Sequence, residues 1–121
     1  MNSRLALGTV QFGLPYGIAN QAGHVSRDEV AKILGQAWMA GIDTLDTAIG
    51  YGDSEVVLGE AGEERWKIIS KLPGIPEGCG SIDDWVDESV NSSLKRLKTS
   101  KLHGILLHRP QQLLGPHGDE L

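Results

Sequence analysis

Asp46, Tyr51, Lys71 and His108 are four side chains of this 121-residue chain whose types and order could together move a proton. A phenol, with an ordinary pKa of about 10, is a weak acid at neutral pH. An ammonium beside it favours the phenolate, and a carboxylate holds that ammonium in place. Phenol, ammonium and carboxylate therefore make a rational general-acid assembly for protonating an oxygen. An imidazole nearby can hydrogen-bond the same oxygen and orient a carbonyl. Taken singly, each residue has a plainer reading: Asp46 as a cap for the loop that follows, Tyr51 as a half-buried packing residue, Lys71 as a solvated charge, His108 as a core histidine. The stretch 46–55, Asp-Thr-Ala-Ile-Gly-Tyr-Gly-Asp-Ser-Glu, still asks for more than a turn, which would need its glycines but not its Asp and Tyr.

The elements that must position these residues can be read from pattern. Residues 5–12 are a short apolar run, a strand, and residues 13–23 a loop. Ser26 and Glu29 have capping-box spacing, with Val30, Ile33, Leu34, Ala37 and Trp38 at helical intervals behind them and Gly41 as a left-handed stop. Residues 42–46 read as a second strand, and Asp53 or Ser54 caps a short helix that runs out near Gly62. Residues 67–71 form a third strand before a Pro- and Gly-rich stretch at 72–80. Ser81 opens a long helix, with Asp83 and Asp84 at its positive end and a stripe of Ile82, Val86, Val90, Leu94 and Leu97. Lys95, Arg96 and Lys98, with Lys101, read as that helix's solvated face and last turn. Residues 102–108 form a fourth strand, apolar enough to be buried on both faces. The remaining residues, 109–121, are broken by Pro and Gly and end on Asp119, Glu120 and Leu121, like the opening turn of another helix.

This β-α-β-α-β-α-β order implies parallel strands with right-handed crossovers, either in an open doubly wound sheet or in part of an eight-stranded barrel. In both, Asp46, Lys71 and His108 fall at the carboxyl ends of separate strands, with Tyr51 in the loop after the second. That rim is where parallel α/β folds build active sites.

Composition narrows the classes. The chain is 40% hydrophobic and 22% charged, a globular balance for one domain. A net charge of -5 argues against nucleic-acid partners, which need clustered cations. There is no signal-peptide pattern at the start and no run long enough to span a bilayer, so a soluble, cytoplasmic protein is expected. Cys79 is the single cysteine, so no internal disulfide can form, and it reads as an ordinary thiol in a reducing compartment. The four histidines, His24, His103, His108 and His117, lack metal-ligand spacing, and no metal is expected. Residues 50–55 begin like a dinucleotide-binding glycine loop but end in Glu before a short helix.

With these residues in place, the chain resembles the N-terminal part of an aldo-keto reductase, from residues 7–13 through residues 107–110. The most specific piece is residues 41–48 followed by Tyr51-Gly52, Ser54-Glu55 and Leu58-Gly59; residues 68–71 and 106–108 match the later lysine and histidine segments. The resemblance implies the first half of a (β/α)8 TIM barrel and hydride transfer to an aldehyde or ketone, possibly sugar-like, without metal. NADPH is the implied donor, with NADH left open. It also implies Tyr51 as proton donor, Lys71 as the cation that eases loss of its proton, Asp46 as partner of Lys71, and His108 as the group orienting the carbonyl. Gly8, Thr9 and Asp46 would lie at the nicotinamide end of the cofactor. Arg109 stands where many relatives carry Trp, a change at the substrate rim.

Such a barrel takes about 250 residues. The expectation is thus a single truncated domain over 1–121, carrying the catalytic residues but not the loops that hold the rest of the cofactor. It would be inactive alone, and would self-associate or pair with the missing half to cover its open edges. The alternative is a non-catalytic half-barrel scaffold or oligomerising module.

Overall fold

The computed structural model describes residues 3–17, 23–62 and 64–121. Four strands, β1 (Leu7–Gly8), β2 (Thr44–Asp46), β3 (Lys67–Leu72) and β4 (Gly104–Leu107), alternate with helices α1 (Arg27–Met39), α2 (Ser54–Ala61) and α3 (Ile82–Leu97). The strands form one parallel sheet in the order β1-β2-β3-β4, so sequential strands are neighbours. This is the N-terminal portion of a (β/α)8 barrel rather than an open doubly wound sheet, which would reverse direction within the strand order. Of the expected loop at 13–23, residues 18–22 lie outside the described residues.

Register decides which side chains share a face. Gly8, Asp46, Ile69 and Gly104 pair in one row across the sheet, and Lys71 pairs with Leu106 two residues further along. Because side chains alternate along a strand, Asp46, Lys71 and Leu106 fall on the same side. Leu45, Ile68 and Leu72, on the other side, are buried. Leu45 and Ile68 there join Val30, Leu34 and Ala37 of α1, Val57 and Leu58 of α2, and Leu97 of α3 in the core.

The helices start where side-chain caps are available. Ser26 Oγ accepts from the Glu29 amide and Ser81 Oγ from the Asp84 amide, as expected. Asp53 flanks α2 without a side-chain cap, because Ser54 is drawn inward by the contacts described below. Gly41, at φ +87°, and Gly62, at φ +72°, follow α1 and α2 in the left-handed region. The Asp43 carboxyl, bonded by Lys67 and then by Thr44, is held below the usual carboxylate range.

Four expectations need correction. The first strand is two residues long, because residues 10–12 turn as a 3-10 helix that tucks Phe12 into the core. The fourth strand is not buried on both faces: it is a sheet edge, paired on one side only, with Ile105 40% and Leu106 50% exposed. Arg96 does not belong to a solvated face. Its Nη2 lies 2.8 Å from Oε1 of Glu55, whose side chain is 2% exposed, and Ser70 Oγ donates to that carboxylate from β3 at 2.8 Å. A charge buried this deeply needs several partners to offset its desolvation, and these come from α3 and β3. Further on, Pro110–Leu114 form a second 3-10 helix, and residues 116–120 make turns after which Leu121 N donates to His117 O, where the opening of a helix was expected at 119–121. Among the described residues, no helix is long and apolar enough to cross a membrane.

Beside the buried ion pair, α2 and α3 touch through Gly59, where an added Cβ would overlap the Arg96 carbonyl. Gly59→Ala is expected to lower the unfolding free energy by about 1–3 kcal/mol. Gly35→Ala, in α1 where a methyl meets nothing within 4 Å, should raise it by about 0.5–1 kcal/mol. Urea melts of the two variants read the contrast directly.

Candidate active site

Lys71, at the end of β3, sits at the centre of the site. Its side chain is 14% exposed, and its Nζ donates to Asp46 Oδ1 at 2.8 Å and to the Thr47 carbonyl at 2.8 Å. Its third contact is Tyr51 Oη at 3.4 Å. An ammonium has three donors and no acceptor, so this arrangement uses its full capacity and aims one N–H at the phenol oxygen. The ammonium also lies 4.9 Å from the centre of the Tyr51 ring.

Tyr51 arrives by a loop held to the sheet. Thr47 N donates to Ile69 O and Ile49 N to Lys71 O, so residues 47–49 keep following β3 after β2 has ended. The chain then turns: Tyr51 N bonds Ala48 O at 3.1 Å, and Ser54 N bonds Tyr51 O at 3.0 Å. Gly52 completes the turn at φ +55°. Gly13 lies directly against it, since a Cβ there would overlap the Tyr51 carbonyl. The segment after β1 thus backs the loop that carries the phenol.

Beneath that loop, three buried hydroxyls meet. Ser54 Oγ lies 2.9 Å from Thr9 Oγ1 and 2.9 Å from Thr47 Oγ1, and donates to Thr9 O at 3.0 Å. Thr9 Oγ1 donates to Asp46 O at 2.9 Å. All three residues are fully buried, so each hydroxyl has to find its partner inside the protein. Together they tie β1, β2 and the first turn of α2 into one block under Asp46 and Tyr51.

His108 follows β4, anchored by its amide to Leu72 O at 2.9 Å. Its ring stands edge-on to Tyr51, centroids 5.5 Å apart and planes at 89°. Gly50 faces this ring, and a Cβ there would lie 3.6 Å from Nδ1.

Asp46, Tyr51, Lys71 and His108 are therefore gathered at one rim, with Gly8 in register beside Asp46. Thr9 is placed differently: its hydroxyl is engaged beneath the rim rather than presented at it. The pattern reading missed the partnership of Thr9, Thr47 and Ser54. Its members are 45 and 7 residues apart, and no local spacing signals them. Glu55 and Arg96, 41 residues apart, are hidden for the same reason. Among the described residues, no cluster of His, Cys, Asp and Glu could hold a metal ion.

A parallel β/α sheet bearing a carboxylate, an ammonium, a phenol and an imidazole at its carboxyl rim defines the class, and the model of the aldo/keto reductase family matches residues 4–114. The chain belongs to that family. It is 33% identical to the 6-dehydroglucose reductase of Novosphingobium aromaticivorans over 74% of this chain and 34% of that protein. It is 37% identical to a Schizosaccharomyces pombe protein described as a voltage-gated potassium channel subunit beta, over 69% of this chain and 28% of the other. Among solved structures, a Pseudomonas aeruginosa protein described as an aldo-keto reductase superposes with a TM-score of 0.77 at 34% identity, over 95% of this chain and 47% of that one. The chain thus spans about a third of the length of the curated relatives it matches, and about half of that solved structure.

Ser54→Ala removes the hub of the buried hydroxyls and should cost about 1–3 kcal/mol of stability in urea. It should also speed hydrogen exchange at the Tyr51 and Ser54 amides. Unchanged exchange at both would separate the hydroxyl cluster from the order of the loop.

Proposed function

We propose that the protein to which this chain belongs reduces an aldehyde or ketone to an alcohol with a nicotinamide cofactor, NADPH in the first instance. The observation that carries the reading is the three-way contact of Lys71 with Asp46, the Thr47 carbonyl and Tyr51. It sets a phenol beside a fixed cation at a strand-end rim. The substrate carbonyl oxygen sits between Tyr51 and His108; His108 hydrogen-bonds and orients it, and Tyr51 Oη gives it a proton as charge develops. Lys71 stabilises the phenolate that remains, and Asp46 keeps Lys71 in place.

The residues present fit the nicotinamide end of the cofactor. At Gly8 nothing lies within 4 Å of where a Cβ would stand, which leaves the rim open next to Asp46. When bound there, the cofactor supplies the hydride. The name of the Novosphingobium relative favours a sugar-like carbonyl. A free Cys79 and a demand for reduced nicotinamide suit the cytoplasm. The 121 residues taken alone lack the second half of such a barrel and would neither hold the whole dinucleotide nor turn over.

A second reading, a non-catalytic module that assembles, draws on the exposed edge. Ile105 and Leu106 of β4 are uncovered, and Leu113 and Leu114 just beyond are 52% and 94% exposed. Under either reading the isolated chain pairs with a second copy or with the rest of a barrel.

In a protein carrying the whole barrel, Tyr51→Phe should lower carbonyl-dependent NADPH oxidation by about 100-fold or more while leaving NADPH fluorescence titrations unchanged. Retained turnover would reject Tyr51 as the proton donor. The isolated chain should sediment as a dimer or larger species that Leu106→Lys dissociates; a wild-type monomer would remove self-association.

A further inference from the structure

Arg109 is a cation with no carboxylate within ion-pair reach among the described residues. Arg27 pairs with Glu60, Lys67 with Asp43, Lys71 with Asp46 and Arg96 with Glu55, whereas Arg109 shares its unpaired state with Arg4, Lys95, Lys98 and Lys101. Its side chain runs over the loop after β3, with Cδ 3.5 Å from where a Cβ on Gly74 would stand. An exposed arginine is ordinarily a solvated charge with a packed stem. Two features set this one apart.

The first is concavity. Arg109, His108, Gln111, Gln112 and His117 line a cavity of ≈ 740 Å³, within the range of roughly 300–1,000 Å³ that small-molecule sites occupy. The second is its charge. Among the described residues that line the cavity there is no Asp or Glu; Glu120, outside that lining, lies 3.1 Å from Nδ1 of His117. The wall is also fixed in place: Gln112 Oε1 accepts from Ile75 N at 2.6 Å, and its Nε2 donates to Arg109 O at 3.3 Å. His108 belongs both to this cavity and to the cluster around Tyr51, so the two spaces adjoin.

We infer that Arg109 makes this cavity the seat of an anionic group, a carboxylate or phosphate, on the carbonyl substrate, an inference that rests on the reading of Tyr51 and His108 as the carbonyl site. A planar guanidinium matches either anion with two parallel hydrogen bonds. Arg109 then selects substrates by their far end while the carbonyl lies at His108.

The test is an amide chemical-shift titration of the chain with 4-oxobutanoate, glyceraldehyde 3-phosphate and neutral butanal. At least one anionic aldehyde should bind about tenfold or more tighter than butanal, shifting the Arg109, Gln111 and Gln112 amides. The tighter of the two tells carboxylate from phosphate. Its affinity should fall several-fold as salt rises from about 20 to about 300 mM, a measurement that needs no variant. Arg109→Gln should bring it down to that of butanal. Equal binding of all three, or anion binding indifferent to both salt and Arg109→Gln, overturns the inference. NADPH oxidation with butanal by a protein carrying the whole barrel reads the carbonyl-reductase assignment separately. Anion binding without that turnover keeps the cavity and loses the reductase. Turnover without anion preference does the reverse.

Discussion

A lysine ammonium that is 14% exposed must have its three N–H groups satisfied by protein, and the site is arranged around that requirement. Asp46, the Thr47 carbonyl and Tyr51 supply the three acceptors. One comes from the end of β2 and two from the loop beyond it, so β2, β3 and the loop have to stay in one register. A shift of one residue in either strand would turn Asp46 or Lys71 to the helix-packed face.

That register is braced from below by buried polar groups. The hydroxyls of Thr9, Thr47 and Ser54 pin β1, β2 and α2 together, and the Glu55–Arg96 pair with Ser70 pins α2, α3 and β3. Helix α2 therefore meets the sheet at a fixed angle immediately after Tyr51. Close approach adds to this. Gly13 seats the first loop against the Tyr51 turn, and Gly59 seats α2 against α3, each where a side chain would collide. The polar brace and the close contacts serve one end, which is to hold a phenol beside a cation.

The helix-packed side of the sheet is filled, while β4 is left open. Leu45 and Ile68 join the helices in a continuous core, whereas Ile105 and Leu106 of β4 remain exposed. Here the cavity carrying Arg109 opens beside His108. Asp46, Lys71 and Tyr51 thus stand over the braced part of the sheet, and His108 and Arg109 beside its open strand.

Much of this was legible in the sequence. The helical spacing in α1 and α3, the Ser26 and Ser81 caps and the alternation of strand and helix are local patterns, and the elements followed them within a few residues. Alternation also places Asp46 and Lys71 at strand ends, which is why the cluster could be anticipated from residue types. The brevity of β1 could not be, because Phe12 leaves the strand to reach a core built by α1 and α2. Nor could the exposure of β4, since an apolar run reads alike whether neighbours cover it or not. The role of Arg96 and the burial of Thr9 depended on partners some forty residues away. The sequence by itself determined the elements and the chemical groups at their ends, because caps and periodicity act over a few residues. Only the tertiary structure decided which polar groups were drawn inward as braces and which stayed at the rim, because burial depends on what packs above each one.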